Sequence, residues 1–210
     1  MIQNYQHIIW DWNGTLLDDL SLCLAIVNEM LQRRDLAQLT VERYRELFTF
    51  PIRDYYENIG FDFSRESYEQ LSVQFVAAYE THWRECSLHP TVATLLERVA
   101  LLGKRQSVLS ALDQETLDRS VQTFKVGHLF DHLVGLDNIY AHSKLDQGRR
   151  LLGLVPQSSS EILLIGDTLH DAEVAQTIDV DCVLVAHGHQ SKQRLMQSGL
   201  PVVDSLHELF

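Results

Sequence analysis

The residues with the clearest chemical potential are polar side chains at the ends of short apolar runs. Asp11 ends the run "HIIWD", Ser110 ends "SVLS" and Asp167 ends "EILLIGD". Asp171 follows shortly after Asp167, and Lys144 opens a helical segment. Carboxylates hold Mg²⁺, lysine and serine bind phosphate oxygens, and a carboxylate can attack phosphorus to form an aspartyl phosphate. Together these residue types indicate phosphoryl transfer, if the fold brings them into one cleft.

The remaining chain predicts a fold that would do so. After Pro90, short apolar runs alternate with amphipathic helical segments, which is typical of a parallel sheet covered by helices. The predicted strands span residues 7–11, 106–111, 132–137, 161–167 and 181–187. Ligands of such sheets bind beyond the carboxyl ends of the strands. We therefore expect a Rossmann-like α/β core in which Asp11, Ser110 and Asp167 share one edge.

Residues 18–88 follow a different, wholly helical pattern. Apolar residues recur at spacings of three and four, as in Leu20, Leu24, Val27 and Leu31. Ser64 is expected to cap a long helix over 65–85, and Asp18 and Asp19 to cap the first helix. We predict a core made of residues 1–17 and 89–210, with an inserted all-helical cap from about 18–88.

Composition narrows the possible partners. A formal net charge of −12 argues against a nucleic-acid partner, because phosphate backbones require clustered Lys and Arg. No apolar stretch is long enough to suggest a membrane span, and no signal peptide is evident. The three scattered cysteines form no CxxC pair, which favours reduced thiols in a cytoplasmic protein.

Four motifs in order give the sequence a family resemblance over nearly its whole length. They are "DWNGT" (11–15), Ser110 after "SVL", Lys144, and "GDTLHD" (166–171). In this order they resemble the haloacid dehalogenase-like (HAD) hydrolase superfamily, and the helical block resembles the cap of its phosphoglycolate phosphatase-like branch. The resemblance implies an Mg²⁺-dependent hydrolase of a small phosphorylated metabolite, either a phosphoglycolate-like phosphomonoester or a phosphoanhydride.

The resemblance also implies roles for the acidic residues. Asp11 would be the nucleophile that becomes phosphorylated. Its carboxylate, the backbone carbonyl of Asn13 and the carboxylate of Asp167 would contact Mg²⁺. Asp171 would support the metal through water or orient Lys144.

The remaining motif residues would bind or surround the phosphate. Gly14 and Thr15 would shape the loop after Asp11, with glycine tolerating close backbone approach. Ser110 would donate to the phosphate, and Lys144 would offset negative charge. Ala111 stands in this phosphate loop where the family often has a polar residue.

Asn13 is the main departure from the family pattern, which has a second aspartate at this position. That aspartate protonates the leaving oxygen and later activates water, and loss of such help typically costs about 10²–10⁴-fold in rate. Three interpretations stay open. In the first, the protein is a working phosphatase whose leaving group needs little protonation or whose water is activated by another group. In the second, it is a slow enzyme or a phosphotransferase in which phosphorylated Asp11 is long-lived. In the third, it is an inactive relative that only binds phosphate and metal.

Other polar residues have simpler explanations than a role in catalysis. "HGH" (187–189) should lie in a surface loop, because no third metal ligand is evident. His170 should face either the cleft or solvent. Arg53, Tyr55 and Tyr56 could select substrate from the cap, but an amphipathic helix opened by Pro51 explains the tyrosines by packing, and Arg53 has no assigned role.

Overall fold

A six-stranded sheet forms the centre of the protein, seen in a computed structural model that describes residues 1–139 and 143–210. All neighbouring strands are parallel, in the order β5-β4-β1-β6-β7-β8. The strands are β1 (His7–Trp10), β4 (Arg105–Asp113), β5 (His132–Leu136), β6 (Ile162–Gly166), β7 (Asp181–Val185) and β8 (Val202–Val203). The predicted α/β, Rossmann-like class is confirmed.

Helices cover both faces of this sheet. They are α5 (Val92–Leu101), α6 (Gln114–Thr123), α7 (Leu145–Leu152), α8 (Leu169–Thr177) and α9 (Lys192–Leu195). Ile8 and Trp10 of β1 enter one hydrophobic cluster, while Ile9 enters the other, because successive side chains of a strand point to opposite faces. Burial on both faces explains why the central strands are continuous apolar runs.

Four helices form a separate hydrophobic cluster above the carboxyl edge of the sheet. These helices, which we call the helical layer, are α1 (Leu20–Gln32), α2 (Val41–Leu47), α3 (Ile52–Asn58) and α4 (Tyr68–His82). Where the chain enters and leaves this layer, β2 (Leu17–Asp18) pairs antiparallel with β3 (Ser87–Leu88). The division into a core and a cap domain stays a prediction. Within the described ranges, no helix is long and apolar enough to cross a membrane.

Several predicted boundaries are wrong in detail. The long helix begins after Ser67, whose side chain forms a capping box with Gln70, and not after Ser64. The last helix is only α9 followed by a 3-10 turn over Met196–Ser198. The strand with Ser110 continues to Asp113, with an irregular register against β5. The two-residue strands β2, β3 and β8 are too short for a periodic pattern and were not predicted.

The helix boundary gives a first prediction. Ser67→Ala removes the capping acceptor of the Gln70 backbone N–H and should lower the free energy of unfolding by about 1 kcal/mol. Ser64→Ala is the control, since Ser64 bonds only to exposed Asp62 and should change stability by less than about 0.5 kcal/mol. Urea denaturation measures both, and an equal or larger loss in Ser64→Ala would contradict the boundary.

Candidate active site

A buried chain of opposite charges lies at the carboxyl edge of the sheet. Lys144 Nζ contacts Asp11 Oδ1, lies 2.7 Å from Asp171 Oδ1 and donates to the Leu109 carbonyl at 3.1 Å. Asp11 directly follows β1, Lys144 directly precedes α7, and Asp171 lies in the first turn of α8. Each of these charged residues is at most 7% exposed. The sheet therefore brings together three predicted site residues from distant parts of the chain.

Asp167 joins the same cluster from the end of β6. Its Oδ1 accepts from Thr15 Oγ1 at 2.8 Å, and its Oδ2 accepts from the His189 backbone N–H at 2.6 Å. Two glycines let the backbone approach it, because a Cβ at Gly14 or Gly188 would collide with the carboxylate. Gly14 also has a φ of +75°, which glycine adopts without strain.

Burial and mutual repulsion shape the ionisation of these groups. Burial raises the pKa of Asp11 well above its usual value; Lys144 opposes this shift, and Asp171 and Asp167 reinforce it. Burial likewise raises the pKa of Asp167. For Lys144, burial favours the neutral form, but Asp11 and Asp171 outweigh it and raise the pKa above its usual value. Lys144 is therefore a permanent cation.

The cluster fits a divalent cation. Four carboxylates are buried here, against two cationic side chains that contact them among the described residues, namely Lys144 and His189. A divalent cation would offset the excess negative charge. Three carboxylates each offer an oxygen within 4.8 Å of the others, those of Asp11, Asp167 and Asp171.

Asn13 is held by a neighbour that sequence reasoning missed. Its Nδ2 donates to Asp19 Oδ2 and to the Tyr79 hydroxyl, both at 2.6 Å, and Tyr79 donates to the same Asp19 oxygen at 2.9 Å. The other oxygen, Asp19 Oδ1, accepts from the Gly14 N–H at 3.0 Å. Position 13 favours a hydrogen-bond donor, because a carboxylate there would lie against the Asp19 carboxylate and repel it.

Asp19 and His189 correct two expectations. Asp19 occupies the N-cap position of α1, but its side chain makes no capping hydrogen bond and is 1% exposed. His189 was expected at the surface, yet it is 4% exposed and its Nε2 lies 3.1 Å from Asp19 Oδ1. Burial disfavours its charged form, but Asp19 and Asp167 raise the pKa of His189 to about 9. Its Nδ1 then donates to the Tyr44 hydroxyl at 3.0 Å.

The surroundings keep Asp19 ionised. Burial favours its neutral form, but His189, Asn13 and Tyr79 outweigh that effect and hold the pKa of Asp19 below its usual value. An ionised carboxylate offers about four acceptor positions. Asn13, Tyr79, His189 and the Gly14 N–H occupy that number, and the Cys23 thiol is a fifth, weaker donor at 3.5 Å from Oδ2. Asp19 therefore does not replace the missing acid–base aspartate.

Ser110 and Ala111 lie where β4 departs from regular pairing. The register against β5 shifts between Leu109 and Asp113, so the intervening residues are displaced from the ladder. Ser110 Oγ accepts from the Leu112 N–H at 3.1 Å, which leaves its hydroxyl proton for a ligand. Both Ser110 and Ala111 line the cavity that contains Asp11.

His170 is also buried, so the solvent-facing alternative is wrong. It is 5% exposed, and its Nε2 accepts from the Lys144 backbone N–H at 3.2 Å. The Phe50 ring stacks on it with centroids 4.8 Å apart. His170 thus helps to fix the backbone from which the Lys144 side chain extends.

This fold and cluster define a class of α/β hydrolases. The chain belongs to the haloacid dehalogenase-like hydrolase family, whose model matches residues 8–185. It is 22% identical over 191 residues to a phosphoglycolate phosphatase of Rhodobacter capsulatus, which covers 87% of this chain and 85% of that protein. It is 24% identical over 166 residues to pyrophosphatase PpaX of Bacillus velezensis, with 78% and 75% covered.

Solved structures share the fold. A haloacid dehalogenase-like hydrolase of Streptococcus pneumoniae has a TM-score of 0.84 at 17% identity and covers 100% of this chain and 98% of its own. Protein tyrosine kinase A of Mycobacterium tuberculosis has a TM-score of 0.80 at 22% identity, with 98% and 96% covered. Proteins with differently named activities share this fold, so the fold alone does not identify the reaction. The reaction must be inferred from the residues of the site.

The close approach of the Gly14 backbone to the Asp167 carboxylate gives a second prediction. Gly14→Ala and Gly103→Ala both place alanine at a φ of +75°, but Gly103 has no atom within 4 Å of a Cβ. Both should lose about 1–2 kcal/mol of stability from backbone strain. Gly14→Ala should also displace Asp167 and weaken Mg²⁺ binding by about 10–100-fold, measured by isothermal titration calorimetry. Equal Mg²⁺ affinities in the two variants would contradict this packing role.

Proposed function

We propose that the protein is an Mg²⁺-dependent phosphatase that hydrolyses a small phosphorylated metabolite through phosphorylated Asp11. The observation that supports this most directly is the buried contact of Lys144 with Asp11 and Asp171, close to Asp167, at a cavity that Asp11 and Lys144 line. The named phosphatase and pyrophosphatase relatives support the same reaction class.

The chemical steps follow from the floor residues. Asp11 attacks phosphorus, the bond from phosphorus to the leaving oxygen breaks, and water then releases phosphate from Asp11. Lys144 opposes the rise in the pKa of Asp11 that burial causes, which favours the attacking carboxylate, and it offsets charge on the transferred group. The Ser110 hydroxyl donates to a phosphate oxygen, next to the apolar Ala111.

The metal would be held by the acidic cluster. Asp11, Asp167 and the backbone carbonyl of Asn13 would be direct ligands, with Asp171 acting through water. When bound, Mg²⁺ supplies positive charge that stabilises the transferring phosphoryl group. Thr15 and Gly14 position Asp167 for this purpose through the contacts described above.

Asn13 sets the limit on turnover. Both donor contacts of its amide go to Asp19 and Tyr79, and asparagine has no proton to transfer at neutral pH. We therefore favour a leaving group that departs without protonation. The same observation carries the second candidate, a slow enzyme or phosphotransferase in which phosphorylated Asp11 persists because no residue at position 13 activates water.

The third prediction tests the nucleophile. Asp11→Asn keeps the side-chain shape but removes the attacking carboxylate, so phosphate release should fall at least about 10³-fold. Chelation of Mg²⁺ should have a comparable effect on the wild type. Asp146→Asn, which removes an exposed acid from α7, controls for net charge and should retain activity.

Two outcomes of this experiment decide between the candidates. Unchanged phosphate release in Asp11→Asn would overturn the phosphatase proposal. Intact-mass spectrometry that shows a stable phosphate on wild-type Asp11, with little phosphate released, would favour the phosphotransferase.

The fourth prediction exchanges the residues of the Asn13–Asp19 pair. Asn13→Asp alone sets two carboxylates against each other and should destabilise the protein by about 1–3 kcal/mol. The double variant Asn13→Asp/Asp19→Asn restores the hydrogen bond with donor and acceptor reversed, and should recover most of the lost stability. It also supplies an acid at position 13, so kcat on an alkyl phosphate should rise about 10²-fold over the wild type.

Thermal unfolding and steady-state kinetics measure the two effects separately. Asp19→Asn alone is the control for the loss of the Asp19 charge beside His189. A double variant that is stable but no faster than the wild type on the alkyl ester would show that position 13 does not limit turnover.

A further inference from the structure

The cavity above the acidic cluster lies between the sheet and the helical layer. Its volume is about 160 Å³, and Asp11, Ser110 and Lys144 form part of its floor. An apolar cavity of roughly 150 Å³ is large enough to hold benzene. Because the phosphoryl group occupies part of this space, the organic group of the ligand is limited to the size of one ring.

The wall that faces this floor is aromatic. It includes Tyr44, Phe48, Tyr55, Tyr56 and Phe75. The first four rings form a connected series with centroid distances of 5.3–5.9 Å, and two of the four pairs are edge to face. Such packing holds the rings in place, and the half-buried Phe48 and Phe75 offer more ring surface to the cavity than the three buried tyrosines. The wall is thus preformed for an aromatic group.

The cavity wall offers no unpaired cation among the described residues, because the charged His189 that lines it is already paired with Asp19. Among the described residues, no lysine or arginine of the helical layer lines the cavity. Arg53 lies over the Phe63 ring and near Glu57, and Arg45 donates to the Gly188 carbonyl. A carboxylate or second phosphate on the ligand would lose hydration here without gaining a cationic partner. This weighs against the substrates in the relatives' names, phosphoglycolate and pyrophosphate.

Two hydroxyls of the residues that line the cavity, those of Tyr55 and Ser72, have no hydrogen-bond partner within the described part of the chain, and Tyr55 belongs to the aromatic wall. Tyr55 is 1% exposed, and its hydroxyl oxygen has no hydrogen-bond partner within the described part of the chain. Burial raises the pKa of Tyr55, so the group stays a neutral phenol. A buried hydroxyl without a partner is unfavourable until a ligand supplies one. By contrast, the hydroxyls of Tyr44 and Tyr79 already bond to His189 and Asp19.

Asn13 constrains the leaving group independently of the wall. A leaving oxygen that receives no proton departs faster as its conjugate acid becomes stronger. The phenol of tyrosine has a pKa of about 10, and the pKa of water, which resembles an alkyl alcohol, is far higher. A phenolate therefore suits a site without a general acid at position 13.

We propose that the substrate is the phosphate monoester of a small uncharged phenol, whose ring packs on the aromatic wall and whose uncharged polar substituent bonds to Tyr55. This substrate class rests on the proposed phosphatase function. Asp11 forms a bond to phosphorus while the bond from phosphorus to the phenolic oxygen breaks, and its electron pair leaves with the phenolate. Water then attacks phosphorus while the bond from phosphorus to Asp11 breaks, which regenerates the Asp11 carboxylate. The oxygen of water and one proton enter inorganic phosphate, and the other proton neutralises the phenolate.

The test compares esters with purified full-length protein and Mg²⁺. We expect kcat/KM for phenyl phosphate to exceed that for 4-carboxyphenyl phosphate, whose leaving group is comparable, by at least about tenfold. It should also exceed the values for benzyl phosphate, phosphoglycolate and pyrophosphate. The ratio for phenyl phosphate over 4-carboxyphenyl phosphate measures how poorly the cavity accepts a negative charge on the ligand. The ratio for phenyl phosphate over benzyl phosphate measures the effect of leaving-group acidity.

Two valines on α4 give a matched pair of charge variants. Val76 is half-buried and lines the cavity, whereas Val73 is 52% exposed and is not among the lining residues. Val76→Lys should raise the efficiency on 4-carboxyphenyl phosphate relative to phenyl phosphate by about tenfold. Val73→Lys adds the same charge elsewhere and should leave that ratio unchanged.

A third variant tests the hydroxyl. Tyr55→Phe should lower the efficiency on 4-(hydroxymethyl)phenyl phosphate relative to phenyl phosphate by about 5–10-fold. An unchanged ratio would overturn the role of Tyr55.

The outcomes separate this inference from the function on which it rests. If turnover depends on Asp11 but phosphoglycolate, pyrophosphate or 4-carboxyphenyl phosphate is hydrolysed more efficiently than phenyl phosphate, the substrate class is wrong and the phosphatase remains. If no ester shows turnover that depends on Asp11, both proposals are overturned.

Discussion

The contact of Lys144 with Asp11 and Asp171 is the interaction on which the site depends. A single buried ammonium group makes it possible to keep two carboxylates away from bulk water, and the sheet order supplies the geometry. Because β1 is flanked by β4 and β6, Asp11 ends up between the segment with Ser110 and the segment with Asp167. Lys144 does not neutralise the whole cluster, and the remaining negative charge is what suits the site to a cation.

The same constraint explains why asparagine is acceptable at position 13. Asp19 already places an ionised carboxylate against this loop and accepts from the Gly14 N–H, Tyr79 and His189. A further buried carboxylate would add charge to a cluster that is already too negative. Asn13 instead donates to Asp19 and stabilises it. The asparagine that departs from the family pattern is therefore one member of a hydrogen-bonded pair with Asp19. The ionised Asp19 favours a hydrogen-bond donor, and not an acid, at position 13.

Local signals in the sequence were sufficient for the fold class and for the floor of the site. Apolar runs that end in Asp11, Ser110 or Asp167 mark strand ends, and the carboxyl ends of parallel strands meet at one edge. The cap of α4 was also readable, because Ser67 is followed at the right spacing by Gln70, a capping-box pattern that Ser64 lacks.

The residues that escaped prediction act through long-range contacts. Asp19 and His189 are 170 positions apart in the chain, so neither carries a local sign of the other. His189 lies four residues beyond the end of β7, whereas Asp167 directly follows β6, so the strand-end rule indicates His189 only weakly. Its contacts are a carboxylate, a tyrosine hydroxyl and a backbone bond to Asp167, none of which the local sequence indicates.

The floor and the wall of the cavity are under different physical constraints. A change in a floor carboxylate leaves an unpaired buried charge, so these positions tolerate little substitution. The wall belongs to the hydrophobic cluster of the helical layer, where many apolar side chains would preserve packing. Packing alone does not require the unpaired hydroxyl of Tyr55 on a ring that phenylalanine would match in shape. The wall therefore records selection for a ligand more directly than the floor, which records only the reaction.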